Sequence, residues 1–153
     1  MKHLEFVQKY NDFNIDFNLE SMPYFELLIH LHTYLFGKDK VRCEEKYQRR
    51  INNLIQKVMV SDFSNMTLYT LSETLGKCIS SICLYQPFFD GNTRTVILLL
   101  KLFALVKGYE FRYDMSVHNE EDYKKFVSLI YSEKDMVSEE SIQKIKEHLY
   151  KVN

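Results

Sequence analysis

Apolar residues recur along most of the chain at helical spacing. Tyr47, Ile51, Leu54, Ile55 and Val58 return every three or four positions and predict a helix over 44–60. Leu68, Leu71, Leu75, Ile79 and Ile82 predict a second over 67–85, stopped by Pro87. A helix over 23–36 has Ser21 as its N-cap, Pro23 in its first turn and Gly37 at its end. His3 to Tyr10 reads as a short helix. Asn11 to Asn18 reads as a loop that drops Phe13, Ile15 and Phe17 onto the core. Asn119 and Ser138 are expected to cap two further helices, each with acidic residues in its first turn. Phe126, Leu129 and Ile130 form the apolar side of the first, and Ile142, Ile145 and Leu149 that of the second. Tyr109 to Tyr113 alternates with period two and predicts extended chain. The pattern is that of an all-α domain of six to eight helices covering residues 1–153.

One helix departs from the amphipathic pattern. Val96 to Val106, VILLLKLFALV, is apolar on almost every side and predicts the central buried helix. The turn-rich stretch Gln86-Pro87-Phe88-Phe89-Asp90-Gly91-Asn92-Thr93-Arg94-Thr95 runs straight into it. A helix N-terminus anchored in a core presents unpaired N–H groups and the positive end of the helix dipole, which favour anions. Asp90 offers a hard oxygen ligand for magnesium, and Arg94 a forked cation one turn in. Such a set suits a phosphate with its magnesium ion.

Composition narrows the class. Four Gly and two Pro are too few for a turn-rich β fold. A formal net charge of -1 gives no general electrostatic pull toward nucleic acid or an anionic membrane. Cys43, Cys78 and Cys83 have neither disulfide-framework nor zinc spacing, which points to reduced thiols. The first residues have no signal-peptide core, and the longest apolar run is broken by Lys101 and too short to span a bilayer. The expected location is the cytoplasm. His30 and His32 lie two apart, on different faces of their helix, and are read as ordinary packed or exposed histidines.

The stretch from Gln86 to Arg94 resembles the signature loop of the Fic/Doc family, His-Pro-Phe-x-(Asp/Glu)-Gly-Asn-(Gly/Lys)-Arg. It departs at Gln86, where the family has histidine, and at Thr93, where it has glycine or lysine. Thr95 and the Lys107-Gly108-Tyr109 ending look more like the Doc branch. Upstream, Ile29-His30-Leu31-His32-Thr33-Tyr34-Leu35-Phe36-Gly37 resembles the family's Ile-His-x-x-Leu-Phe helix end, with Arg42 where that segment closes. The family's Trp-Ala-Gly is missing, and a second loop arginine would fall at Ile97. The resemblance covers roughly Leu27 to Phe111.

The resemblance implies a Fic-like bundle, with a small β-hairpin flap for target docking at a shortened segment, Gly37 to Arg42. It implies ATP and Mg2+ as cofactors, with Asp90 as metal ligand. Gly91, Asn92 and Thr93 would form the phosphate cradle, Arg94 would contact the phosphates, and Phe88 would anchor the loop. The partner would be a protein carrying a Ser, Thr or Tyr hydroxyl, which receives AMP or phosphate, or a regulatory antitoxin-like protein. Gln86 occupies the catalytic base position, and an amide has no useful pKa near 7. The expected function is therefore a degenerate, pseudoenzyme-like nucleotide-binding protein. An active transferase with another base and a non-catalytic interaction module are the alternatives. No nucleic-acid or membrane partner is expected.

Overall fold

A computed structural model describes residues 1–14, 22–38, 40–131 and 137–152. Among them run seven α-helices: α1 His3–Asp12, α2 Tyr24–Phe36, α3 Glu45–Val60, α4 Leu68–Tyr85, α5 Asn92–Val106, α6 Glu120–Tyr131 and α7 Glu139–Glu147. Strand β1, Tyr109–Phe111, pairs antiparallel with β2, Leu149–Lys151, setting Phe111 opposite Leu149. The fold is all-α with this one small sheet.

Helix α5 is the axis of the core. Val96 to Leu100 and Leu102 to Ala104 are buried without a break, and α2, α3, α4, α6 and β1 pack around them. Burying a helix on all sides needs apolar residues on all sides, which the run provides. Lys101 in α5 and Lys107 at its C-cap serve neighbouring helix ends. Lys101 Nζ donates to the carbonyl of Tyr10 in the last turn of α1. Lys107 Nζ donates to the carbonyls of Met59 (3.0 Å) and Ser61 (2.6 Å) where α3 ends. A cation at a helix C-terminus satisfies orphan carbonyls and complements the dipole. Burial pulls both ammonium groups below the ordinary lysine pKa, Lys101 against the opposing pull of Asp12 and Glu110.

Helices α3 and α4 run as their periodicity predicts; α2 starts at Tyr24 with Pro23 as its N-cap rather than in its first turn, and Gly37 closes it in the left-handed conformation at φ 76°. Ser138 caps α7 by accepting the Ser141 N–H at 3.1 Å. Ser21 and residues 15–18, read as an N-cap and part of a loop, lie outside the described residues, whereas Phe13 is buried.

Three expectations change. Leu149 belongs to β2 rather than to the last helix, because pairing with β1 satisfies its backbone and buries it opposite Phe111. Asn119 stands in a 3-10 turn, Val117–Asn119, and its amide donates to the Asp114 carbonyl at 2.8 Å instead of capping α6. The sheet sits after α5, away in sequence from the segment Gly37 to Arg42. That segment contributes, among its described residues, a single antiparallel bridge from Val41 to Phe88.

The far side of the bundle is tied by Asp122, which accepts from Tyr113 Oη and, at 2.6 Å, from Lys144 Nζ. The Lys144 bond first, then the Tyr113 bond, hold its carboxyl below the ordinary carboxylate range. The folded state therefore binds this proton less readily than the unfolded chain. Its stabilising contribution is complete above the unfolded pKa of about 3.9 and fades as pH falls through the lower folded value. Asp122→Asn is expected to flatten the acid limb of a stability–pH curve measured by urea unfolding. An unchanged acid limb would exclude this link.

Candidate functional site

The stretch between α4 and α5 is held by backbone contacts from three directions. Gln86 ends α4 in the left-handed region at φ 45°, ψ 65°, the one non-glycine with positive φ among the described residues. Pro87 cannot continue the helix. Its carbonyl accepts the Arg42 N–H at 2.7 Å, and Arg42 Nη1 lies 3.4 Å from the Gln86 carbonyl. Phe88 is fully buried and stacks on His32, centroids 3.9 Å apart and planes 13° apart. The Asn92 carboxamide then closes the turn. Its Oδ1 accepts the Phe88 N–H and its Nδ2 donates to the Phe88 carbonyl, both at 2.9 Å.

Two stretches far apart in sequence meet here. The end of α2 lies against the loop through His32 and Phe36. His32 is 2% exposed, with Nε2 3.1 Å from the Asp90 carbonyl and Nδ1 3.2 Å from the Lys38 carbonyl. Both ring nitrogens face backbone, so this histidine positions the loop. Phe36 covers Gly91, where a Cβ would lie 2.2 Å from Phe36 Cε2 and 2.3 Å from Cζ. Gly91 also has φ 74°. Glycine is required there twice, by conformation and by packing.

Gly91 is the N-cap of α5, and its carbonyl accepts the Thr95 N–H at 3.0 Å as the first helical bond. The amides of Asn92, Thr93 and Arg94 therefore precede the helical ladder and have no partner within it. They stand beside a concavity of about 380 Å³ lined by Gln86, Asp90, Gly91, Asn92, Thr93 and Arg94, with Met1, Phe36, Phe89 and Tyr131 around them. Gln86, Phe89 and Asp90 are exposed.

All six predicted site residues thus share one concavity, but their side chains are used unequally. Asn92 spends its amide on Phe88, so it can offer an anion only its backbone N–H. Thr93 is half-buried behind the concavity, beside the buried Cys83 thiol, whose pKa burial pushes up to about 12. Arg94 is half-buried; its Nη1 donates to the Met1 carbonyl at 2.6 Å and its Cζ lies 5.4 Å from the centroid of the Phe6 ring. The guanidinium is therefore tied to the N-terminal segment as well as lining the concavity.

Among the described residues no group of three His, Cys, Asp or Glu side chains is placed to hold a metal. A magnesium ion at Asp90 would take one protein oxygen, with phosphates and water filling the rest of its shell. That is an ordinary arrangement for magnesium, and an exposed carboxylate beside open space fits it. His118 stands in the 3-10 turn near Asp114 and is not among the residues lining this concavity.

The parts that sequence reasoning missed are His32, Phe36, Phe6 and Met1. The helix-end resemblance marked the stretch that holds His32 and Phe36, but no spacing rule ties position 32 to position 90. No known family profile matches the chain, and no curated protein matches it at a significant level. Among the described residues no helix is long and apolar enough to cross a membrane.

Proposed function

We propose that the Asp90–Arg94 loop binds a nucleotide through its phosphates and magnesium, in a Fic-like protein whose transfer chemistry is impaired. The observation that carries this reading is the pinned N-terminus of α5. Three amides outside the helical ladder open beside an exposed carboxylate, in a loop fixed by Phe88, Asn92 and Gly91. Phosphoryl chemistry depends on positioning and charge stabilisation more than on covalent participation by protein. The helix N-terminus and Arg94 supply positive potential, and Asp90 would hold the metal. When bound, magnesium would neutralise phosphate charge.

The weak point of the site is Gln86. It borders the concavity where the family resemblance puts a base, and it can hydrogen-bond but not accept a proton. His32 is no substitute, because both of its ring nitrogens are engaged with carbonyls beneath the loop. The protein is therefore a nucleotide-binding relative of enzymes that modify protein hydroxyls, with little transferase activity of its own. Arg94 favours weak binding, because its bond to Met1 competes with phosphate.

Isothermal calorimetry with ATP and magnesium tests the reading. The expected Kd is on the order of 0.1–1 mM, and Arg94→Ala is expected to weaken it about tenfold, the usual scale for losing a charged hydrogen bond. Heats that Arg94→Ala leaves unchanged, or no heat at millimolar ATP, would favour a non-catalytic interaction module.

A further inference from the structure

Beside the loop lies a basic surface that the nucleotide reading does not use. Residues 38–50 carry six cations, Lys38, Lys40, Arg42, Lys46, Arg49 and Arg50, against Asp39, Glu44 and Glu45. Around the Val41–Phe88 bridge, Val41 packs on the core, whereas Lys40 and Arg42 are exposed to either side of it. That alternation is what an extended segment imposes. Lys46 and Arg50, both exposed, follow one turn apart on α3, about 6 Å along its axis.

We propose that this face, Lys40, Arg42, Lys46 and Arg50, is a docking surface for an acidic peptide segment of a protein partner. The inference rests on the nucleotide-loop reading in one respect: it names the partner presented to that loop. None of the four cations has an ion-pair partner among the described residues, whereas Arg49 is paired with Glu45 at 3.6 Å. The cations are also pre-positioned. Lys46 Nζ lies 4.9 Å and Arg50 Cζ 5.4 Å from the centroid of the Tyr47 ring. Tyr47 in turn packs on Tyr85, centroids 5.4 Å apart, at the end of α4. Cations already resting on a ring lose less side-chain freedom when a carboxylate arrives. Arg42 is held to Gln86 and Pro87, so the patch runs directly to the rim of the concavity.

Charge decides the kind of partner. The molecule as a whole has 20 cations against 21 anions, so this is a local patch on a near-neutral protein. A long nucleic-acid backbone would need a basic track extending beyond it. A few carboxylates on a peptide match four cations grouped within a short helix turn and an adjoining extended segment. Glu44, exposed between Arg42 and Lys46, sets a limit on the carboxylates accepted there.

The test is fluorescence anisotropy with a fluorescein-labelled hexaglutamate peptide, at roughly 0.02 M and roughly 0.3 M salt, because screening shortens the reach of exposed charges. The parent is expected to bind at low salt and lose most binding at high salt. Arg42→Gln/Lys46→Gln/Arg50→Gln is expected to weaken binding at least tenfold while keeping the parent's circular dichroism. Arg49→Gln/Lys57→Gln, which removes as many cations less one from α3 outside the patch, is expected to change it less than twofold. No binding at low salt, equal loss in both variants, or tighter binding of a labelled hexathymidylate would overturn the proposal. ATP calorimetry on the same samples separates the two readings. A parent that binds peptide but no ATP sinks the nucleotide loop alone, and one that binds ATP but no peptide sinks the docking surface alone.

Discussion

On the nucleotide-loop proposal, Gln86→His is expected to confer transferase activity. Incubated with cell lysate and ATP labelled on either the α- or the γ-phosphate, the variant should label protein at least 100-fold more strongly than the parent. General-base catalysis typically contributes about 100- to 10,000-fold. The substitution is conservative in structure. Gln86 is exposed, and histidine is among the residues that tolerate the left-handed backbone found there. Its backbone contacts, N–H to the Cys83 carbonyl and carbonyl to Arg42, do not involve the side chain. The α-label reports AMP transfer and the γ-label phosphate transfer. Labelling by the parent as strong as by the variant would show that another group serves as base. No labelling by either would shift the balance to an interaction role, with Arg94 held by Met1 as the structural reason.

Gly91→Ala is expected to cost roughly 2–5 kcal/mol and to remove ATP binding. About 1–2 kcal/mol comes from forcing a side chain into the left-handed region. About 1–3 kcal/mol more comes from driving a methyl group against the Phe36 ring. At this chain length, 1 kcal/mol corresponds to about 2–4 °C in Tm. Gly108→Ala is the control, because Gly108 also has positive φ, 83°, but a Cβ there would meet nothing within 4 Å. Its variant should lose only the backbone part. Combining Gly91→Ala with Phe36→Ala should recover part of the Gly91 penalty, read as a coupling in a double-mutant cycle. Equal losses at Gly91 and Gly108, with no coupling to Phe36, would mean that packing between α2 and the loop does not govern this turn.

These two results bear on different parts of the loop. On the proposed reading, the residue at position 86 sets the chemistry, and Gly91 sets whether the N-terminal end of α5 is presented beside the concavity. A protein can keep the second after losing the first, because the buried contacts of Phe88 and Asn92 are needed for folding whatever the loop binds. Phe88 is fully buried, and Asn92 is 5% exposed with its amide paired to backbone. Their presence therefore follows from stability, whereas Asp90 is exposed beside the concavity and the packing of the loop does not require its carboxylate.

The sequence by itself determined the helices, the central position of α5 and the place of the loop. Local periodicity and turn chemistry carry that information, since a helix apolar on every side has no stable place except the core. It also singled out six of the ten residues that line the concavity. It misread Leu149 and Asn119, because strand pairing between β1 and β2 and the Asp114 carbonyl compete with purely local preferences. Only the tertiary structure decided what each loop side chain does. The pairing of Asn92 with Phe88 spans four residues. The links from His32 to Asp90, from Phe36 to Gly91 and from Met1 to Arg94 cross 58, 55 and 93 positions. No period in the sequence encodes such distances. They arise when α1 and α2 pack on α5 and bring backbone carbonyls and rings to the same helix end.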